Sequence, residues 1–232
     1  TTVLAKDTPA FIANRVGIFG IMDLFHQVKD MGLTVEEIDK LTGPVIGRPK
    51  SATFRTCDVV GLDTLVHVAN GLYENCKNDE ARASFKLPKY VEKLFENKWF
   101  GDKTKQGFYK KDRDAKGNRK ILSLNLKTLE YEEKRKVKYD TIGKAKKINS
   151  LKKRLPELIK GEDKAAIFYK KMFAFMFAYV SHRIPEISDE IYKIDAAMCA
   201  GFGWKIGPFE MWDAIGIKTG IGLIEKENLV IP

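Results

Sequence analysis

Apolar residues recur at three- and four-residue spacing along most of this chain and alternate strictly in only one stretch. The pattern predicts a mostly α fold with a small β-hairpin insertion. Near the start, "DTPAFIANRVGIFGIMDLF" sets Phe11, Val16, Phe19, Met22, Leu24 and Phe25 at mixed helical spacings, wide enough to bury most of a helix circumference. Thr8 as a cap and Pro9 in the first turn would begin this helix, which is expected over 9–31. Further helices are expected over 34–42, where Thr34 and Glu37 stand at capping-box spacing, and over 61–77, 88–98, 144–160, 162–183, 188–200 and 217–227. Alternation in "KILSLNLKTLEY", with "KGN" as a turn, predicts one exposed hairpin inside 106–140. One polar pair, Asn14 and Arg15, interrupts the first apolar helix, and a buried amide there would need a partner.

The two ends of the chain repeat one another. "VEEID" followed by "GPVIGRPKSATFRTCDVVGLD" is echoed by "IYKID" followed by "AGFGWKIGPFEMWDAIGIK". With one gap, Asp39 aligns with Asp195, Phe54 with Phe209, Asp58 with Asp213 and Gly61 with Gly216. Upstream, "FIANR" is answered by "YVSHR", which sets Asn14 against His182 and Arg15 against Arg183. Two tandem copies of one helical unit can bury matched apolar helices, so neither need be self-sufficient. The expected organisation is a first copy over 1–110, a connector with the hairpin over 111–160, and a second copy over 161–232.

Composition adds limits. A chain of 232 residues can bury a substantial core. It has no uninterrupted apolar run long enough for a membrane span, since Lys170 and Lys171 break the richest stretch. Its three cysteines, Cys57, Cys76 and Cys199, are widely spaced, so neither a disulfide framework nor a zinc site is expected and a reducing compartment fits. No metal ligand set is expected. The net charge of +10 is regional: residues 101–160 hold 20 Lys/Arg against 8 Asp/Glu, and the remainder 21 against 23. This basic region lacks the interleaved aromatics or recognisable module of a nucleic-acid reader, so it reads first as a solvated connector. The opening residues run into a helix without an initiator Met, as they would if the chain began inside a longer protein.

"DTPAFIANR", "GLTVEEID", "GRPKSATFRTCDVVGLD", "DKTKQGFY" and "IDAAMCAGFGWKIGPFEMWDAIG" in this order resemble the C-terminal domain of 3-hydroxyacyl-CoA dehydrogenases. The duplicated arrangement is similar to that of the multifunctional fatty acid β-oxidation enzymes that carry a fused enoyl-CoA hydratase domain. The resemblance implies two tandem helical repeats of the 6-phosphogluconate dehydrogenase C-terminal-like fold. It also implies a parent enzyme whose upstream Rossmann domain binds NAD and carries a catalytic His–Glu pair. No G-x-G-x-x-G in a strand-turn-helix context stands in this chain, so the chain alone is expected to be inactive and to bind no cofactor.

The resemblance also assigns roles. Asn14 would line the cleft and support catalysis beside the reacting end of a 3-hydroxyacyl-CoA, since an amide donates or accepts without titrating. Phe54 and Val59 would contact substrate, and Lys103 of the "K-T-x-x-G-F-Y" motif would reach the bound dinucleotide. Ala10 stands where the family usually has Gly. Arg15 reads as structural, paired with a carboxylate such as Asp39 or Asp58. His26, His67 and His182 read as packing or surface imidazoles rather than ligands. The expectation is therefore a cytoplasmic fragment of an oxidoreductase, the alternative being a helical interaction module whose basic connector docks an anionic partner.

Overall fold

The computed structural model describes residues 2–135 and 137–232. Among them are eleven α-helices and one antiparallel sheet, which forms the insertion. The helices are α1 (Ala13–Asp30), α2 (Val35–Thr42), α3 (Phe54–Val60), α4 (Leu62–Asn75), α5 (Lys89–Glu96), α6 (Asp140–Ala145), α7 (Leu151–Leu158), α8 (Lys164–His182), α9 (Ile191–Phe202), α10 (Pro208–Ile215) and α11 (Ile217–Lys226). The strands are β1 (Tyr109–Arg113), β2 (Arg119–Leu124) and β3 (Tyr131–Glu133). The mostly α fold is as expected. The insertion is larger than a hairpin, because β3 pairs Leu122–Leu124 across the second edge of β2.

Several boundaries differ from the pattern, each for a local reason. α1 begins at Ala13, since Ala10 and Phe11 adopt φ of +63° and +51° and cannot continue a right-handed turn. The Thr8 hydroxyl caps nothing, having no hydrogen-bond partner among the described residues. The span expected as one helix over 144–160 is two, α6 and α7, separated at 146–150. The segments "FRTCDVV" and "PFEMWDAI" are short helices, α3 and α10, which apolar periodicity misses at this length. α2 starts as expected, with Thr34 and Glu37 exchanging both capping-box bonds.

Two compact units emerge, and they cut across the linear intervals 1–110, 111–160 and 161–232. One gathers the residues up to Gly20, Pro44–Pro49 and Lys138–Pro232; the other gathers Ile21–Gly43 and Lys50–Val137. In the first, α8 is buried nearly all round, and its i, i+4 aromatics Tyr169, Phe173 and Phe177 stack in series onto Trp212 of α10. Gly220 lets α11 approach, because a Cβ there would lie 2.0 Å from the Trp212 indole nitrogen. In the second unit Phe25, Phe54, Phe108 and Tyr90 form the aromatic core, with the Tyr90 hydroxyl donating to the Phe25 carbonyl. Among the described residues, no helix is long and apolar enough to cross a membrane.

Candidate functional site

In the second unit three family-like motifs lock onto two aspartates. Asp39, near the end of α2, accepts the backbone N–H groups of Thr53, Phe54 and Arg55 at 3.0, 2.6 and 2.9 Å, so its carboxylate caps the start of α3. The Tyr109 hydroxyl adds a fourth bond at 2.7 Å. Asp58, in the last turn of α3, accepts the N–H groups of Phe108 and Tyr109, both at 2.8 Å. Gly101 and Gly107 make this approach sterically open: a Cβ would meet Asp58 main-chain O at 2.2 Å from the first and Oδ1 at 2.1 Å from the second. Burial pushes Asp39 up to about 6, against its Tyr109 and backbone donors, and Asp58 up to about 7, against its two backbone donors. Arg55 closes the arrangement by a two-pronged contact to Asp102 at 2.9 and 2.7 Å, which lowers that carboxyl.

Lys103 leaves this clasp on its exposed side. Its Nζ pairs with Asp63 at 2.5 Å, and its stem lies over Gly61, where a Cβ would meet Cε at 2.4 Å. Lys103 holds the Asp63 carboxyl below its ordinary range. Val59 and Val60, just before Gly61, are 57% and 56% exposed. Phe54 has no exposed surface and packs on Phe25 and Phe108, so its position is that of a core residue.

The other unit holds Asn14. It lies in the first turn of α1, exposed, and its amide makes no hydrogen bond to the described residues. The side chain that faces inward is the next one. Arg15 is completely buried, donating to the Tyr179 hydroxyl at 2.9 Å and to Glu186 at 2.8 Å. Its counterpart Arg183 reaches the other oxygen of Glu186 at 2.8 Å and lies 4.5 Å over the Tyr179 ring, whose opposite role is to stack on Phe19 at 3.6 Å. The carboxylate partner is therefore Glu186 rather than Asp39 or Asp58, whose oxygens are taken by backbone amides.

The repeat is visible in bond patterns. Asp195 accepts the N–H groups of Phe209 and Glu210 at 2.8 and 3.1 Å, as Asp39 accepts those of Phe54 and Arg55, and burial raises it to about 6. Gly61 (φ +105°, ψ +125°) and Gly216 (φ +100°, ψ +129°) end the two short helices in the same conformation, one that requires glycine. The aspartates diverge, since Asp58 is buried against the Gly107 loop while Asp213 is exposed. The histidines are engaged or exposed. His26 Nε2 lies 3.0 and 2.9 Å from the Ser84 and Lys86 carbonyls, His182 Nε2 lies 3.0 Å from that of Val230, and His67 is exposed. Sequence reasoning did not single out Tyr109 or Glu186. The paired "ID" motifs pointed to Asp39 and Asp195, but nothing local marks a tyrosine 70 residues from its aspartate.

A family model described as "3-hydroxyacyl-CoA dehydrogenase, C-terminal domain" matches residues 11–111 and 168–230. The chain belongs to this family. A probable 3-hydroxyacyl-CoA dehydrogenase of Bacillus subtilis is 42% identical over 99% of the chain and 28% of its own length. A putative fatty acid oxidation complex trifunctional enzyme of Rickettsia prowazekii is 28% identical over the whole chain and 31% of its own length. The chain thus spans less than a third of these curated relatives. The crystal structure of 3-hydroxybutyryl-CoA dehydrogenase from Escherichia coli superposes with a TM-score of 0.62 at 15% identity, over 97% of this chain and 57% of that one, and so shares the fold.

Within this 3-hydroxyacyl-CoA dehydrogenase C-terminal domain, the described residues do not fit a dinucleotide site on their own. The sheet is antiparallel throughout, with no parallel strand leading through a glycine-rich turn into a helix, and Lys103 already answers Asp63.

Proposed function

We propose that this chain is the cleft-closing helical part of an NAD-dependent L-3-hydroxyacyl-CoA dehydrogenase of fatty acid β-oxidation. The observation that carries this reading is Asn14: an exposed, uncommitted amide beside a fully buried arginine, in the motif of a chain that belongs to this family. The parent oxidises a 3-hydroxyacyl-CoA to the 3-ketoacyl-CoA. Its catalytic base and nucleotide fold come from an upstream Rossmann domain, with a fused enoyl-CoA hydratase domain as a further partner and the cytoplasm as the compartment.

In this scheme Asn14 Nδ2 donates to the substrate oxygen as it gains carbonyl character. An amide can hold that oxygen through the reaction because it neither gains nor loses a proton. Arg15 keeps the first turn of α1 in place through Tyr179 and Glu186, and so positions Asn14 without touching substrate. Val59 offers exposed apolar surface for the acyl portion, with Phe54 as the core support behind α3. Lys103 exchanges Asp63 for a phosphate or ribose oxygen of the dinucleotide when the cleft closes.

The test is Asn14→Ala in the full-length parent, with turnover and melting temperature measured together. Turnover should fall roughly ten- to a thousandfold, the scale for losing one oriented donor, while the melting temperature stays put. Near-normal turnover at saturating substrate in a folded parent refutes the role. The 232-residue chain alone should not oxidise NADH with acetoacetyl-CoA.

A further inference from the structure

The insertion does more than extend the chain. β1, β2, the residue after β3 and the loop before β1 stand with α2 and the start of α3 around an open cavity of about 400 Å³. Six cations line it: Lys40, Lys50, Arg55, Lys105, Lys111 and Lys134. Three carboxylates, Glu36, Asp39 and Asp102, share the walls, so the lining carries a net charge of about +3 with all groups ionised. Two of the three are already committed, Asp39 to α3 and Tyr109 and Asp102 to Arg55. Lys50, Lys105 and Lys134 have no ion-pair partner among the described residues; Lys134 only covers the Tyr109 ring at 5.0 Å. Lys105 is moreover held at φ +62°, a conformation costly for a side-chain-bearing residue and recurrent where a group must be presented.

We infer that this pocket binds a small organic phosphate, a nucleotide-sized anion with several phosphoryl oxygens. The cavity lies in the usual range for small-molecule sites and is roomier than one phosphate ion needs. Lysine ammonium groups approaching from several elements suit the spread-out charge of phosphoryl oxygens, whereas a lone carboxylate would need only one two-pronged partner. Ile121, 49% exposed, supplies an apolar wall for the rest of the ligand. A nucleic-acid strand fits less well, because Tyr109, the aromatic ring of the lining, is tied to Asp39 and covered by Lys134 instead of being open for stacking. The phosphates could belong to the tail of a coenzyme A molecule or to a free polyphosphate. The inference does not depend on the dehydrogenase reading.

The test is calorimetric titration of the 232-residue chain at low ionic strength with three probes: coenzyme A, adenosine 3′,5′-bisphosphate and inorganic diphosphate. Saturable, salt-sensitive binding of at least one probe is expected. Each of Lys50→Gln, Lys105→Gln and Lys134→Gln should weaken it about two- to fivefold, and the Lys50→Gln/Lys105→Gln pair about tenfold, the scale for solvent-facing charge contacts. Lys218→Gln on α11 should leave affinity unchanged, and circular dichroism should show every variant folded. Binding of the two nucleotides but not of diphosphate identifies the coenzyme tail as the source; equal binding of diphosphate identifies a free polyphosphate. No saturable binding up to millimolar probe, affinity indifferent to the lysine substitutions, or tighter lysine-dependent binding of a single-stranded oligonucleotide would each overturn the inference.

Discussion

Gly107→Ala should be among the most damaging single-methyl additions in the second unit. Gly107 does not have a positive φ, so the cost is steric and local. The new Cβ would lie 2.1 Å from Asp58 Oδ1, 2.8 Å from Asp58 Cγ and 2.7 Å from Gly101 Cα; the last is backbone, and the buried Asp58 carboxyl is pinned by two backbone N–H groups and cannot swing aside. The loop must withdraw, and the two 2.8 Å bonds from Phe108 and Tyr109 to Asp58 lengthen or break. Overpacking a tight site costs about 1–3 kcal/mol, and one hydrogen bond to a charged group contributes about 1.5–3 kcal/mol. With one bond lost the sum is about 2.5–6 kcal/mol, which in a chain of this size lowers the melting temperature by roughly 5–24 °C. Gly71→Ala is the matched control. No atom lies within 4 Å of its added Cβ inside α4, so helix propensity alone should raise stability by about 0.5–1 kcal/mol. Thermal melts should be paired with hydrogen exchange at Phe108 and Tyr109, because local opening costs less than global unfolding and escapes a melting curve. A Gly107→Ala variant that melts with the wild type and keeps both amides protected would refute the steric account of the clasp.

Burial holds Asp39, Asp58 and Asp195 at about 6, 7 and 6, so between about pH 5 and 7, above the range in which the lowered carboxyls such as Asp63 and Asp102 titrate, these three bind more protons in the folded chain than in the unfolded one and stability should fall as pH rises. Denaturant melts across that range check the sign, and Asp58→Asn should flatten the slope; a stability that climbs from about pH 5 to 7 contradicts it. Ala10→Gly should stabilise by about 0.5–1 kcal/mol, since Ala10 sits at φ +63° where the missing Cβ relieves strain, and an unchanged or lower midpoint in urea argues against that backbone conformation. Arg15→Ala should cost about 2–4 kcal/mol by emptying a fully buried site and removing the bond to the Tyr179 hydroxyl, while Glu186 keeps Arg183, whereas Asn14→Ala should leave the melting curve alone. Equal effects of the two would remove the distinction drawn between the inward and outward residues of that pair.

Much of this architecture is written locally. The helical periodicity, the Thr34–Glu37 capping box and the turn at "KGN" each depend on residues within a few positions of one another, and each appears where the pattern puts it. The repeat is equally legible, because glycines at 61 and 216 and aspartates at 39 and 195 meet the same backbone demand twice. Ala10 and Phe11 mark where local reading stops: Thr8 and Pro9 signal a helix start correctly in kind, yet the left-handed pair that follows delays the helix to Ala13. Partner choice was decided by packing over long sequence distances. Whether Arg15 meets Glu186 or an aspartate, whether Asp58 is buried while Asp213 is exposed, and whether six cations from separate elements face one cavity depend on which surfaces the core brings together. Asn14 shows both sides, since its residue type marks it for hydrogen bonding without titration, while only the angle of α1 on its core leaves that amide outside and Arg15 within.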